Sequence, residues 1–154
     1  MVKVMKIDIY AKPDTTKPSG YDVWMEENSR KTDRLVFDKT KDNMKKTENY
    51  DVRFKLHNKD NANLRFATPT DKALWAKPVE DLSEPCPDQA CFMNGVFYLD
   101  SVDRDELSVI NTDPAAQLFK FAINLVPEGT VEDENTTYVW FDPIGENRNG
   151  GLPG

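Results

Sequence analysis

The peptide bond between Asp142 and Pro143, in the stretch YVWFDPIGENRNGG, joins the two residue types best suited to breaking their own linkage. The aspartate carboxyl can attack its own main-chain carbonyl through a five-membered ring, and proline's tertiary amide nitrogen leaves comparatively well once protonated. The cyclic anhydride so formed opens to water, which is cleavage, or to a neutral amine, which gives an amide. A lysine is an effective nucleophile only where burial pulls its pKa down, whereas an adjacent carboxylate pulls it up. The chemistry therefore asks for a site shielded from water, an amine such as that of Lys120, and a further acid to move the proton. The plain alternative is that Pro143 ends a strand because it has no ladder donor. A Lys120–Asp142 pair would then be an exposed ion pair worth roughly 0–1 kcal/mol. A second Asp-Pro unit, Asp113–Pro114, reads as a hairpin turn with nothing to mark it as reactive.

Other chemistry is sparse. The only histidine, His57, closes YDVRFKLHNKD in register with Asp51, Arg53 and Lys55, as a solvated strand residue would. One histidine excludes multi-histidine metal sites, and no cofactor motif is present. Cys86 and Cys91 in EPCPDQAC have a spacing that allows a small disulfide loop. Without an export signal, two reduced thiols in a proline-rich loop are expected. Trp24, Trp75 and Trp140 are candidates for sugar stacking, although tryptophans in strands are more often core.

The elements that must position Lys120 and Asp142 are strands. Apolar and polar residues alternate in VKVMKIDIY, YDVWME, RLVFD, DVRFKL, GVFYLD, LSVIN, QLFKFAINLV and TYVWF, and no segment sustains a helical period. Many short strands separated by turn residues predict an all-β chain, an antiparallel, immunoglobulin-like β-sandwich forming a single domain over 1–154. A charged connector at about 39–49 and the final GENRNGGLPG read as disordered. Residues 69–91 read as a Pro-rich crossover with one helical turn near Lys72 to Ala76. Matching the apolar faces of the last two strands allows a register in which Asn124 opposes Tyr138, Ala122 opposes Trp140 and Lys120 opposes Asp142. In that register the amine reaches the carboxyl without strain, and Tyr138 and Trp140 supply part of the shield. Asp100, Asp103 and Glu106 lie around the preceding hairpin, whose second strand is expected to pair with that of Lys120. Each is a candidate proton carrier whose ordinary fate is a solvated turn acid.

The composition sets limits on partners. Twenty basic against 27 acidic residues leave a net charge of −7 in 154 residues, which repels nucleic acid and anionic lipid alike. The opening MVKVMKIDIYAKPD breaks its apolar residues with charge and offers no signal-peptide core. No apolar stretch approaches the roughly 20 residues of a membrane helix. Expected partners thus include neither nucleic acid nor membrane, and the expected setting is the cytoplasm.

The strand FKF, a loop, and then VWFDPIGEN with a short Asn/Gly tail together resemble the DP-EP family, small bacterial β-sandwich proteins named for cleavage at an Asp-Pro bond. The likeness covers roughly residues 95–151. It implies a self-cleaving endopeptidase that cuts between Asp142 and Pro143 and links Asp142 to Lys120, the only lysine between Arg104 and the cut, by an isopeptide bond. It also implies a released C-terminal segment, 143–154, that stays docked as a strand, and self-assembly with the protein itself as partner. The alternative is a non-catalytic β-sandwich binding or assembly module. A protease acting on other chains has no nucleophile motif or metal site to support it.

Overall fold

The structure, a computed structural model, describes residues 2–81, 83, 84 and 95–148. Cys86, Cys91 and the tail from 149 onward lie outside the described residues.

Among the described residues, twelve strands and one helical turn follow in chain order. They are β1 (Val2–Pro13), β2 (Tyr21–Glu27), β3 (Arg30–Thr32), β4 (Arg34–Asp38), β5 (Asn49–Asn58), β6 (Leu64–Phe66), α1 (Thr70–Ala73), β7 (Leu74–Val79), β8 (Phe97–Val102), β9 (Glu106–Asn111), β10 (Gln117–Pro127), β11 (Val139–Phe141) and β12 (Ile144–Arg148). One sheet runs β3-β2-β1-β5-β9-β8. The other runs β11-β10-β12-β4, with β6 and β7 pairing β10. Phe119, Phe121, Ile123 and Leu125 of β10 face the core, as do Val52, Phe54 and Leu56 of β5, while Ala122, Asn124 and Val126 are buried as well, so the middle of β10 is covered on both faces. One hydrophobic core draws on both sheets. Rings lock it across the gap, with Phe97 of β8 edge-on to Phe119 and Phe121 of β10, and Phe37 of β4 edge-on to Tyr50 of β5.

The all-β expectation holds, but the sheets are mixed rather than antiparallel, because β1 pairs β5 and β12 pairs β4 in parallel. The reason is topological. The chain leaves the first sheet after β3, lays β4 in the second, and returns as β5 running the same way as β1. Period-2 patterning fixes which face is buried and carries no strand direction. The crossover beyond residue 69 holds α1 and also β7, which pairs with β10 from Leu74↔Ile123 to Val79↔Leu118.

Two further expectations change, and both bear on the site. The connector after β4 is ordered, with Lys39 and Met44 buried and Met44 N–H donating to Lys39 O at 2.8 Å. The β9 and β10 strands do not form a hairpin. They belong to opposite sheets, so the residues between them, Thr112 to Ala116, cross from one sheet to the other.

Gly145 shows how tightly β12 is fitted. A Cβ there would stand 2.0 Å from the Phe119 ring, so only glycine lets that ring pack on the strand.

Candidate functional site

The register around Asp142 differs from the expected one by two residues. Asn124 opposes Trp140 and Ile123 opposes Phe141, while Lys120 opposes Ile144. Both ladders share this register, and Phe121 N–H donates to Pro143 O at 3.0 Å between them. The chain thus runs through Asp142–Pro143 beside β10. A two-residue slip preserves which side chains face the core, which is why the apolar pattern could not discriminate between the two registers. Lys120 and Asp142 share a face as diagonal neighbours. Lys120 is half-buried, and its amine donates to Glu84 O at 2.6 Å. Asp142 is exposed, and Trp140 is 55% exposed and so covers little. Tyr138 packs its ring edge-on against Trp75. Asp100, Asp103 and Glu106 are exposed and belong to the opposite sheet or its turn.

The other Asp-Pro unit has different surroundings. Asp113 is 3% exposed, and neither carboxyl oxygen has a hydrogen-bond partner among the described residues. It sits where the chain leaves β9 to change sheets, so its side chain is enclosed by the two layers rather than turned out at a hairpin tip. Its φ of +44° lies in the left-handed region. A residue before proline is normally driven to extended backbone, so this position is strained. A buried amide pair holds it there. Asn111 Nδ2 donates to Asn147 Oδ1 at 2.8 Å, Asn147 Nδ2 returns a bond to Asn111 Oδ1 at 3.2 Å, and the same Oδ1 accepts Asp113 N–H at 2.9 Å.

Beside it lies the amine of Lys39, a residue 1% exposed. Its Nζ donates to Lys46 O at 2.9 Å and to Thr112 O, the carbonyl that precedes Asp113, at 2.5 Å. The connector that reads as a solvated charge run therefore wraps a lysine and delivers it between the sheets. Burial pulls the Lys39 amine below the ordinary lysine range, against the opposing pull of Asp113 and Glu48. Burial likewise pushes the Asp113 carboxyl up to about 7, with Lys39 resisting and Asp38 adding to the rise. Amine and carboxyl feel each other electrostatically without a direct hydrogen bond. Nearby, Tyr50 donates to Asp42 Oδ2 at 2.7 Å, and burial first, then that carboxylate, raises its phenol well beyond the usual range.

No protein-family model matches the chain, and no curated protein does. The site must therefore be read from its own chemistry. A carboxyl that holds its proton near neutrality, attached to the residue before a proline, carries the proton that a departing proline nitrogen needs. An amine shifted toward its neutral form, and bonded to the preceding carbonyl, is a second nucleophile beside water. In the sequence Asp113 reads as an unreactive turn residue, and Lys39 as one of a charged run. The dipeptide Asp113–Pro114 was the only signal, and nothing in DKTKDNMKKTEN distinguishes Lys39 from its surface neighbours.

Trp24 and His57 are accounted for by packing. Trp24, Tyr10 and His57 stack in a row across β2, β1 and β5, with centroids 5.5 and 4.8 Å apart, and Lys31 and Lys59 lie near the rings of Trp24 and Tyr10. Ring faces spent on one another stabilise the sheet and are not offered to a sugar. His57 Nε2 lies 2.7 Å from Asp8 Oδ1, as a cross-strand surface pair. Among the described residues no cluster of metal-ligating side chains occurs, and no helix is long and apolar enough to cross a membrane.

Proposed function

We propose that this protein is a self-processing β-sandwich, immunoglobulin-like in its layering, that cuts one of its own Asp-Pro bonds once per molecule, and that the bond is Asp113–Pro114. The observation that carries the reading is the Asp113 carboxyl, fully buried and unpartnered on a strained pre-proline residue, with the buried Lys39 amine alongside. The protonated carboxyl attacks the Asp113 carbonyl carbon. The C–N bond to Pro114 breaks as the carboxyl proton passes to the proline nitrogen, leaving a cyclic anhydride and a secondary amine. Water then opens the anhydride to two carboxyls, or Lys39 in its neutral form opens it to an amide plus one carboxyl. The resemblance to self-cleaving Asp-Pro proteins lies at Asp142–Pro143 and Lys120, and so belongs to the second reading below. The cut fragments remain together, since β10 and β12 on one pair with β4, β6 and β7 on the other. A fragment held by strand pairing is exchangeable between copies, so self-assembly belongs to the same proposal.

A second reading keeps the reaction at Asp142–Pro143 with Lys120 as the capturing amine, favoured by the shared face and diagonal spacing of those residues on β10 and its neighbour. Intact mass under denaturing conditions after prolonged incubation discriminates between them. The first reading expects a break after Asp113, with the N-terminal fragment lighter by one water where Lys39 has captured the anhydride. The second expects loss of the segment from Pro143 onward. An unchanged mass identical to that of an Asp113→Ala, Asp142→Ala double variant would leave a non-catalytic binding or assembly module.

A further inference from the structure

A groove of about 530 Å³ opens where the first sheet is incomplete. The β2 ladder on β1 begins at Asp8↔Glu26, so Val2 to Ile7 of β1 pair only with β5. Beyond Glu27 the chain turns away through Asn28 and Ser29, at φ +52° and +65°, into β3. Four successive β1 residues, Lys3 to Lys6, line the groove. Successive side chains point to opposite faces, so a run of four means that the backbone edge itself borders the space. The opposite wall is the outer face of β4, through Arg34, Val36 and Asp38, and β4 is itself the last strand of its sheet.

The charge of this groove runs against that of the whole chain. Lys3, Lys6, Arg34, Lys41 and Arg148 line it against Glu27, Asp38 and Asp42. Lys3 is paired with Asp42, and Arg148 with Asp38 and Glu146. Lys6, Arg34 and Lys41 have no ion-pair partner among the described residues. Val4, 42% exposed, and Val36 add an apolar strip between them. An open strand edge supplies main-chain donors and acceptors, the cations without an ion-pair partner select acidic side chains on their face, and Met5 on the alternate face takes apolar ones.

We propose that this groove docks an acidic, extended peptide of a partner protein as an added strand on the Val2 to Ile7 edge of β1. About six residues fill that edge, with acidic residues on the outward face that Val4 shares with Lys6, toward Lys6, Arg34 and Lys41, and apolar ones at the alternate positions on the inward face beside Met5. The site is separate from the Asp-Pro chemistry, so it stands or falls independently.

The test uses the full chain and a capped peptide of alternating valine and glutamate, six residues long, with a valine–glutamine peptide as control. Binding followed by fluorescence polarisation should be at least about tenfold tighter for the acidic peptide and should weaken as salt rises. Amide hydrogen exchange should slow within Val2 to Ile7 on binding. Lys6→Glu with Arg34→Glu should lower affinity by at least about tenfold while leaving the thermal midpoint of the free protein unchanged. Equal binding of both peptides, no protection at Val2 to Ile7, or indifference to the charge reversal would each overturn the proposal. Protection of the same amides by raising protein concentration alone would overturn it in favour of a second copy as the occupant.

Discussion

The two Asp-Pro units of this chain are chemically identical dipeptides with opposite environments. Asp142–Pro143 lies along the side of β10, its carboxyl exposed and its neighbouring lysine turned to Glu84 O. Asp113–Pro114 lies between the layers, its carboxyl without a partner and its neighbouring lysine buried. Solvent decides the difference. Burial raises the Asp113 carboxyl to about 7, so that it holds the proton the proposed cleavage requires. A reactive dipeptide is thus a property of its surroundings rather than of its letters.

The largest effect that would separate the two units is on cleavage. Asp113→Asn should abolish the native cut by at least a hundredfold, read as the fraction of intact chain by mass, and Asp142→Asn should leave it unchanged. The reverse result would hand the chemistry to Asp142 and Lys120. Cleavage should slow as pH rises past about 7, where Asp113 loses its proton, while the amide-to-acid ratio of the products rises as Lys39 becomes neutral.

Stability gives the next effect. The Asp113 carboxyl is raised from 3.8 to about 7 on folding. Its contribution is therefore full below about pH 4 and is lost as pH climbs toward 7, by up to roughly 4 kcal/mol. Urea titrations between pH 4.5 and 7.5 should show wild-type stability falling relative to Asp113→Asn, which lacks that titration. A parallel pH course for the two proteins would mean that the carboxyl is solvated after all.

Gly145→Ala probes the strand that both sites share. Its Cβ would meet the Phe119 ring, and the cost should be roughly 1–3 kcal/mol, seen as a lower urea midpoint. Since Asn147 on the same strand clamps Asn111 and through it Asp113, a shifted β12 should also slow the cut. The smallest effect belongs to Lys120→Ala, which removes one half-buried bond to Glu84 O and should cost about 1 kcal/mol without changing the cleavage products. A change in products would revive the second reading.

Much of the architecture was legible because period-2 alternation is a direct imprint of a sheet with one wet and one dry face. The strands around Phe54, Phe97 and Phe119 could be located that way, as could the apolar face of β10. The disulfide question at Cys86 and Cys91 lies outside the described residues. Strand direction, the two-residue register of β11 against β10, and the separation of β9 from β10 into different sheets left no trace in local pattern. Each depends on contacts between residues far apart in the chain.

The sequence by itself determined an acidic, all-β protein holding two aspartate–proline linkages and very little other reactive chemistry, since composition and alternation are local properties. Only the tertiary structure decided which linkage is dry. Lys39 and Asp113 stand 74 positions apart in the chain, and the chain's crossings between the layers enclose both and strip away their water. Burial is a property of the packed whole, so no stretch of the chain read alone could reveal it.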